Sequence, residues 1–383
     1  MKPSNPPQYP VGGLHPDSVV ISHGHLDHCG LVPNLMDLKP DIFMTPVTRN
    51  LSVLLARDTM KIARERGYVL PFVLEDIRDF ELNSNTIDYD IVFEASGYEI
   101  RFYNAGHIPG SASIYLENES GSLIYTGDIN NQDTYLLGPA WNLPVAETII
   151  IESTYFNREH TPRPQLDDNF ISSIEETVDG GGWALVPAFA IGRTQEVLMI
   201  LAEHGITAWV DGMGVDVYEI LKKDPDYIKD PVLLDEAFKN ADVVRSRERK
   251  KVLDKPGVIV TTAGMLNGGP ALYYLKHIYN DPRSKVLLSG YQIEGTNGRT
   301  ALENGYYEDR GKIMHLKAQL ELFDFSAHSG DKGLKAVLQN QIERGCENVI
   351  CIHGDNTQGF ASWIKENLEV NAIAPDNGDL IHL

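Results

Sequence analysis

The stretch Val19-Val20-Ile21-Ser22-His23-Gly24-His25-Leu26-Asp27-His28 decides how this chain is read. A short apolar run, of the kind that forms a buried strand, ends in the pattern His-x-His-x-Asp-His. Packing gives no reason to gather three imidazoles and a carboxylate at one point. Imidazole and carboxylate suit Zn²⁺ and its neighbours in the transition series. The mixed set also suits two metals, about 3.5–4 Å apart, that clamp an attacking and a leaving oxygen. Cys29 follows directly, and its expected role is that of a small buried residue rather than a ligand.

Working outward, three more candidate ligands sit where apolar runs end. His107 lies in Asn104-Ala105-Gly106-His107 after the run Ile100–Tyr103, and Asp128 follows Tyr125-Thr126-Gly127. His353 follows Asn348-Val349-Ile350-Cys351-Ile352 and precedes Gly354-Asp355. Each has a glycine beside it, which lets backbone approach a crowded centre.

The surrounding pattern alternates strands and helices. Strands are expected at Asp41–Thr45, Ile91–Glu94, Glu99–Tyr103, Ala112–Leu116, Ser122–Tyr125 and Thr148–Glu152, with a helix at about Pro46–Arg66. The continuous apolar run Thr148-Ile149-Ile150-Ile151 suits a fully buried strand. Past Pro162-Arg163-Pro164 a second α/β unit begins, with a helix at about Leu166–Val178. Its expected strands are Trp183–Val186, Ala208–Val210, Val258–Thr261 and Val286–Ser289. Such alternation argues for α/β layers around buried sheets.

Composition narrows the class. A chain of 383 residues has room for two domains. No apolar run approaches the roughly 20 residues of a membrane helix, and Met1-Lys2-Pro3-Ser4 lacks a signal-peptide pattern. Three cysteines without a Cys-x-x-Cys pair fit a reducing cytoplasm. The net charge of −21 repels polyanions as a whole. A polyanionic substrate therefore requires a local cleft, with its metals, to supply positive charge. The main positive cluster is Arg245-Ser246-Arg247-Glu248-Arg249-Lys250-Lys251, for which a solvated helix face is the default and an RNA track the alternative.

The ordered set His23, His25, Asp27, His28, His107, Asp128 and His353 resembles the metal-binding series of the metallo-β-lactamase superfamily. Three further stretches resemble the added motifs of its β-CASP nucleases. These are Ile151-Glu152-Ser153-Thr154-Tyr155, Asp324-Phe325-Ser326-Ala327-His328-Ser329 and Cys351-Ile352-His353-Gly354. The Phe-Ser-Ala-His form of the second is similar to the cleavage-and-polyadenylation-factor-like branch. A histidine at the third is similar to RNA-processing members rather than DNA-repair members. The likeness continues through Pro187–Glu196 and Gly264–Pro270.

This resemblance implies an αββα metallo-β-lactamase fold with an inserted α/β β-CASP domain. Residues 1–163 and 316–383 would form the metallo-domain and 164–315 the insertion. Two Zn²⁺ ions are implied, one held by His23, His25 and His107, the other by Asp27, His28 and His353, with Asp128 bridging. The implied activity is hydrolysis of single-stranded RNA, as an endonuclease or a 5′-to-3′ exonuclease, leaving 5′-phosphate and 3′-hydroxyl ends. Asp27 would orient or deprotonate the attacking water. His328 would protonate the leaving 3′ oxygen, and Glu152 would orient His328 and raise its pKa. The loops Gly264–Pro270 and Gly290–Thr296 would either present N–H groups to phosphates or act as tight turns. Arg193 would be an ion-pair partner or an RNA contact.

In the family a further strand precedes the first motif. Only 22 residues precede His23 here and Met1–Tyr9 reads as loop, so an incomplete edge of the first sheet is expected, with no KH-type module. Substrate selection is then left to the cleft, to a homodimer or to an RNA-processing complex. Two rival functions remain: hydrolysis of small esters or thioesters, and an inactive scaffold in a processing complex. The insertion with Glu152 and His328 argues against the first, and the complete ligand series against the second.

Overall fold

The computed structural model describes residue 13 and residues 15–382, so the loop expected at Met1–Tyr9 lies outside the described residues. The chain forms two compact units. One contains the described residues through Asp133, then Gly138–Glu159 and the chain from Ala327 onward; the other contains Thr134–Leu137 and His160–Ser326.

In the unit that carries the His-x-His-x-Asp-His motif, Ser18–Val20, Asp41–Met44 and Ser84–Thr86 pair in parallel as a three-stranded sheet. A seven-stranded sheet runs in the order Asn371–Ile373, Asn348–Ile352, Thr148–Glu152, Gly121–Tyr125, Ala112–Asn118, Tyr98–Asn104, Val92–Ala95. The first four of these are parallel and the rest antiparallel.

Side-chain alternation sets the layers. Ile42 and Met44 face outward into a cluster with Val53, Ala56, Ile77 and Phe80 of the helices Pro46–Arg66 and Leu74–Asn83. Phe43, between them, faces inward, where it stacks on Phe93 and packs with Phe102 and Ile114 of the larger sheet. A side chain as fully buried as Phe102 contributes about 1.5–3 kcal/mol. On the far face of the larger sheet, Ile149, Ile151, Val349 and Cys351 pack under Leu334, Leu338, Phe360 and Ile364 of the helices Asp331–Glu343 and Thr357–Leu368. Two sheets inside and helices outside give an αββα sandwich.

The helix Pro46–Arg66 has the bounds its sequence implies. Thr45 Oγ1 accepts from Thr48 N at 3.2 Å, Pro46 fills the first turn, and Gly67 ends the helix at φ 72°.

The other unit is built on a six-stranded parallel sheet, in the order Asp242–Val243, Ala208–Asp211, Val258–Thr261, Ala184–Pro187, Lys285–Leu288, Gln319–Leu322. Its central strands are buried throughout, as strands with both faces covered must be. Leu185, Ile259 and Val286 pack on Tyr274, Leu275 and Ile278 of the helix Gly269–Ile278. The strand Gln319–Leu322 pairs with Lys285–Leu288 in this sheet, although it lies past residue 316.

Several sequence features take on definite structural roles here. The two glycine-rich loops are tied to each other. Asn297 Nδ2 donates to Leu266 O, Gly298 N to Met265 O, and Gln292 Nε2 to both Gly264 O and Gly290 O. Within the basic run, Arg249 forms a two-pronged ion pair with the buried Asp211 at 2.6 and 3.0 Å, and Tyr274 donates to the same carboxylate. Arg245, Arg247, Lys250 and Lys251 are exposed. Arg193 is buried beside the Phe325 ring.

Candidate metal centre

Strand direction explains why distant residues meet. Tyr98–Asn104, Gly121–Tyr125, Thr148–Glu152 and Asn348–Ile352 all run the same way in the seven-stranded sheet, so their C-terminal ends share one edge. The segments leaving that edge carry His107, Asp128, Glu152 and His353. From the smaller sheet, the chain after Ser18–Val20 supplies His23 and His25, and the short helix Leu26–Cys29 supplies Asp27 and His28. Close approach needs two glycines. Gly106 has φ 69°, and a Cβ there would strike the carbonyl oxygen of Asn130 in the Asp128 loop. A Cβ on Gly354 would strike the backbone of Ser153, next to Glu152.

All seven expected ligands are brought together, and Asp128 lies at their middle. Its Oδ2 is 3.4 Å from both His23 Nε2 and His107 Nε2. Its Oδ1 is 3.3 Å from His28 Nε2 and 3.8 Å from His353 Nε2. Asp27 Oδ2 faces His353 Nε2 at 3.4 Å and His28 Nε2 at 3.7 Å. His25 Nδ1 meets His107 Nε2 at 3.0 Å. The donor atoms thus fall into one group of His23, His25, His107 and Asp128 and a second of Asp27, His28 and His353.

The outward nitrogens fix which lone pairs point inward. A carbonyl oxygen only accepts, so His107 Nδ1, 2.8 Å from Ala327 O, must carry the proton and leave Nε2 bare. Thr154 Oγ1 donates to His353 O and therefore accepts from His353 Nδ1 at 3.1 Å. Ser22 Oγ lies 3.1 Å from His23 Nδ1. Orienting partners of this kind are what metal-ligating histidines use.

The electrostatics point the same way. Burial, with help from the His23 ring, pushes His25 down to about 3 and His28 down to about 4. Burial and His328 hold His107 well below its ordinary value. Burial opposes ionisation of Asp128, yet the neighbouring His23, His107 and His328 rings keep it an anion, well below the usual carboxylate range. His353 is the exception: its hydrogen bond to Asp27, outweighing burial, raises it to about 9. Nε2 of His23, Nε2 of His28 and Oδ1 of Asp128 are buried without a hydrogen-bond partner. Such atoms are costly unless a cation takes their lone pairs, and imidazole and carboxylate donors are what a borderline divalent cation prefers.

Glu152 and His328 form a separate pair beside this centre. His328 Nδ1 donates to both oxygens of Glu152, at 2.9 and 2.8 Å, and Ile129 N donates to Glu152 Oε1 at 2.7 Å. His328 Nε2 faces the centre, 3.8 Å from Asp128 Oδ2. Burial lowers the His328 pKa, but the charge and hydrogen bond of Glu152 outweigh it and lift the group to about 8.

Sequence reading missed the orienting partners. Ser22 and Thr154 sit inside the quoted motifs and could have been named; Ala327 O, 220 residues from His107, had no local signal.

Known proteins match over the same segments. The Metallo-beta-lactamase superfamily model covers residues 8–170, the Beta-Casp domain 194–300, and the Zn-dependent metallo-hydrolase RNA specificity domain 313–375. The chain is 36% identical over 373 residues to RNase aCSPSF2 of Saccharolobus solfataricus, covering 95% of this chain and 74% of that one. It is 34% identical over 388 residues to Probable RNase MJ4 of Methanocaldococcus jannaschii, covering 96% and 88%. Transcription termination factor FttA of the same organism is 32% identical over 413 residues; 98% of this chain spans 64% of its length. A crystal structure of a protein of unknown function from Enterococcus faecalis V583 aligns with a TM-score of 0.58 at 14% identity, covering 94% of this chain and 80% of that chain, which shows a shared fold. With these matches on a metallo-hydrolase sandwich, the chain belongs to the β-CASP family of the metallo-β-lactamase superfamily, alongside RNase aCSPSF2 and Probable RNase MJ4.

Proposed function

We propose that this protein is a zinc-dependent ribonuclease that hydrolyses phosphodiester bonds of single-stranded RNA at a two-metal centre. As a family member it is a metal-dependent hydrolase acting on RNA. The observation that carries the finer reading is Asp128, whose two oxygens face two different sets of imidazoles. His23, His25 and His107 would hold one Zn²⁺, Asp27, His28 and His353 the other, with Asp128 shared. Bound there, the cations would supply Lewis acidity, acidifying a water to a pKa of about 7 and offsetting charge on a phosphoryl group.

The chain's own residues do the rest. Asp27, about two-thirds exposed at its side chain, is open to solvent and can orient the incoming water. His328 holds a proton on Nε2, on the side that faces the centre, and gives it to the departing 3′ oxygen. Glu152 keeps the ring turned that way and stabilises its charged form. The catalytic domain would comprise residues 1–163 and 316–383 and the β-CASP insertion 164–315, whereas the compact units divide at His160 and Ser326. No helix among the described residues is long and apolar enough to cross a membrane. We place the activity in the cytoplasm, in a homodimer or a processing complex.

The test is cleavage of single-stranded RNA carrying a labelled 5′-monophosphate by zinc-loaded protein, with His328→Ala as control. Immediate release of labelled mononucleotide indicates a 5′-exonuclease and labelled internal fragments an endonuclease. Wild-type protein no more active than the control would refute the reading.

The pH profile checks the acid. The raised pKa of His328 means its proton is fully present below the ordinary value of 6.5 and is lost as pH rises through about 8. Cleavage is expected to fall on the alkaline side, with nearby cations drawing the limb downward. Glu152→Gln removes the largest raising influence and is expected to move that limb to lower pH with zinc content retained. Superimposable profiles would remove Glu152 from this role.

A further inference from the structure

One arginine beside the centre is not used by this chemistry. Arg158 lies on the turn after Glu152-Ser153-Thr154-Tyr155, and its guanidinium sits 5.6 Å from the Tyr155 ring centroid. The Tyr155 ring is in turn 6.1 Å from the ring of His328. The main chain of the turn is held firmly: Arg158 N donates to Tyr155 O, Asp331 N to Arg158 O, and Asn157 N to Asp331 Oδ1, all at 2.8–2.9 Å. The side chain is partly open to solvent. Arg158 Nη2 donates to Asp355 Oδ2 at 2.8 Å and to Thr154 O at 3.2 Å, with the Arg158 and Asp355 side chains 45% and 74% exposed. Asp355 comes two residues after His353, so the turn and the third motif meet at this ion pair.

An exposed pair of this type is screened by water and contributes little, so a better anion can displace Asp355. Phosphate is such an anion, because a guanidinium matches two of its oxygens at once. The chain's net charge of −21 makes a local cation next to the centre the more telling.

We propose that Arg158 and Asp355 form an exchangeable phosphate subsite, in which the guanidinium leaves Asp355 for a backbone phosphate of RNA adjacent to the scissile one. This rests on the ribonuclease reading and sharpens it. Arg158 reaches the ring of Tyr155, and that ring lies 6.1 Å from the ring of His328, so the guanidinium is offered to a neighbouring phosphate rather than to the one being cleaved. The substrate class is therefore an oligonucleotide with at least one further phosphate, not a small ester. Arg158 is a binding residue, and Asp355 competes with the phosphate for its guanidinium.

The two substitutions should act in opposite directions. In a zinc-loaded His328→Ala background, binding of a fluorescent single-stranded RNA is measured by anisotropy across a salt series. Arg158→Gln is expected to weaken binding about tenfold and to reduce the log–log salt slope by about 0.7, the value for one phosphate contact to a single strand. Asp355→Asn is expected to tighten binding, and Arg158→Lys to restore part of the loss. RNA binding by the background with the same affinity and slope in Arg158→Gln overturns the subsite alone. No RNA binding by the background overturns the subsite and the ribonuclease reading together.

Discussion

His328→Ala is expected to lower RNA cleavage by about 10²–10⁴-fold, the usual share of a positioned acid, while zinc content stays at the wild-type level. The expectation follows from where each ring nitrogen is engaged. Nδ1 donates to both oxygens of Glu152, and only Nε2 is turned to the centre, farther from Asp128 Oδ2 than the Nε2 atoms of His23 and His107. Glu152 is committed to His328 and to the Ile129 amide. Glu152, His328 and Asp128 do make a cluster that could hold a cation, which is a rival account of the same atoms. Metal analysis of the purified variant separates the two. Zinc retained with cleavage lost supports the acid, whereas zinc lost along with cleavage makes His328 a ligand and removes the acid from the mechanism.

Asp128→Asn is expected to cost more: most of the bound zinc and all measurable cleavage. The substitution keeps the shape of the side chain but replaces an anion facing five imidazoles with a neutral amide. One of its two positions becomes an NH₂ group, which cannot accept a cation's charge. If both metals share this residue, both are weakened together. Zinc should also stop protecting the fold. A ligand that binds only the folded state stabilises by about 2.7 kcal/mol at one hundred times its Kd, so the zinc-dependent rise in Tm of wild-type protein is expected to vanish in the variant. Asp355→Asn, an exposed carboxylate on the neighbouring loop, serves as the control and should keep the rise. A full zinc complement in Asp128→Asn would show that the carboxylate does not bridge.

Much of the architecture was legible because burial leaves a local trace. The strands Thr148–Glu152 and Val258–Thr261 have the bounds that their apolar runs imply, since a strand covered on both faces must be apolar throughout. The helix Pro46–Arg66 was legible from its ends, where Thr45, Pro46 and Gly67 start and stop it for reasons contained in single residues. The strand Gln319–Leu322 has no such mark. Its pattern shows only that it is extended, and its membership of the six-stranded sheet depends on backbone hydrogen bonds to Lys285–Leu288. Arg249 is similar: in a basic run it looks solvated, and only the approach of Asp211, 38 residues away, makes it an ion-pair partner.

The candidate site divides along the same line. Ligand-type residues are chemically conspicuous wherever they occur, so His23, His25, Asp27 and His28 announced themselves by spacing, and His107, Asp128 and His353 by following strands. The sequence by itself determined the donor atoms available and the layers that carry them. Tertiary structure decided which oxygen of Asp128 faces which imidazoles, which nitrogen of His107 is bare, and that Arg158 lies against Asp355. Those facts depend on directions and distances between strands far apart in sequence, such as Thr148–Glu152 and Asn348–Ile352, 200 residues from one another. Hydrogen bonds and charges act over a few ångströms in space, and sequence order records nothing of that separation until the sheet has formed.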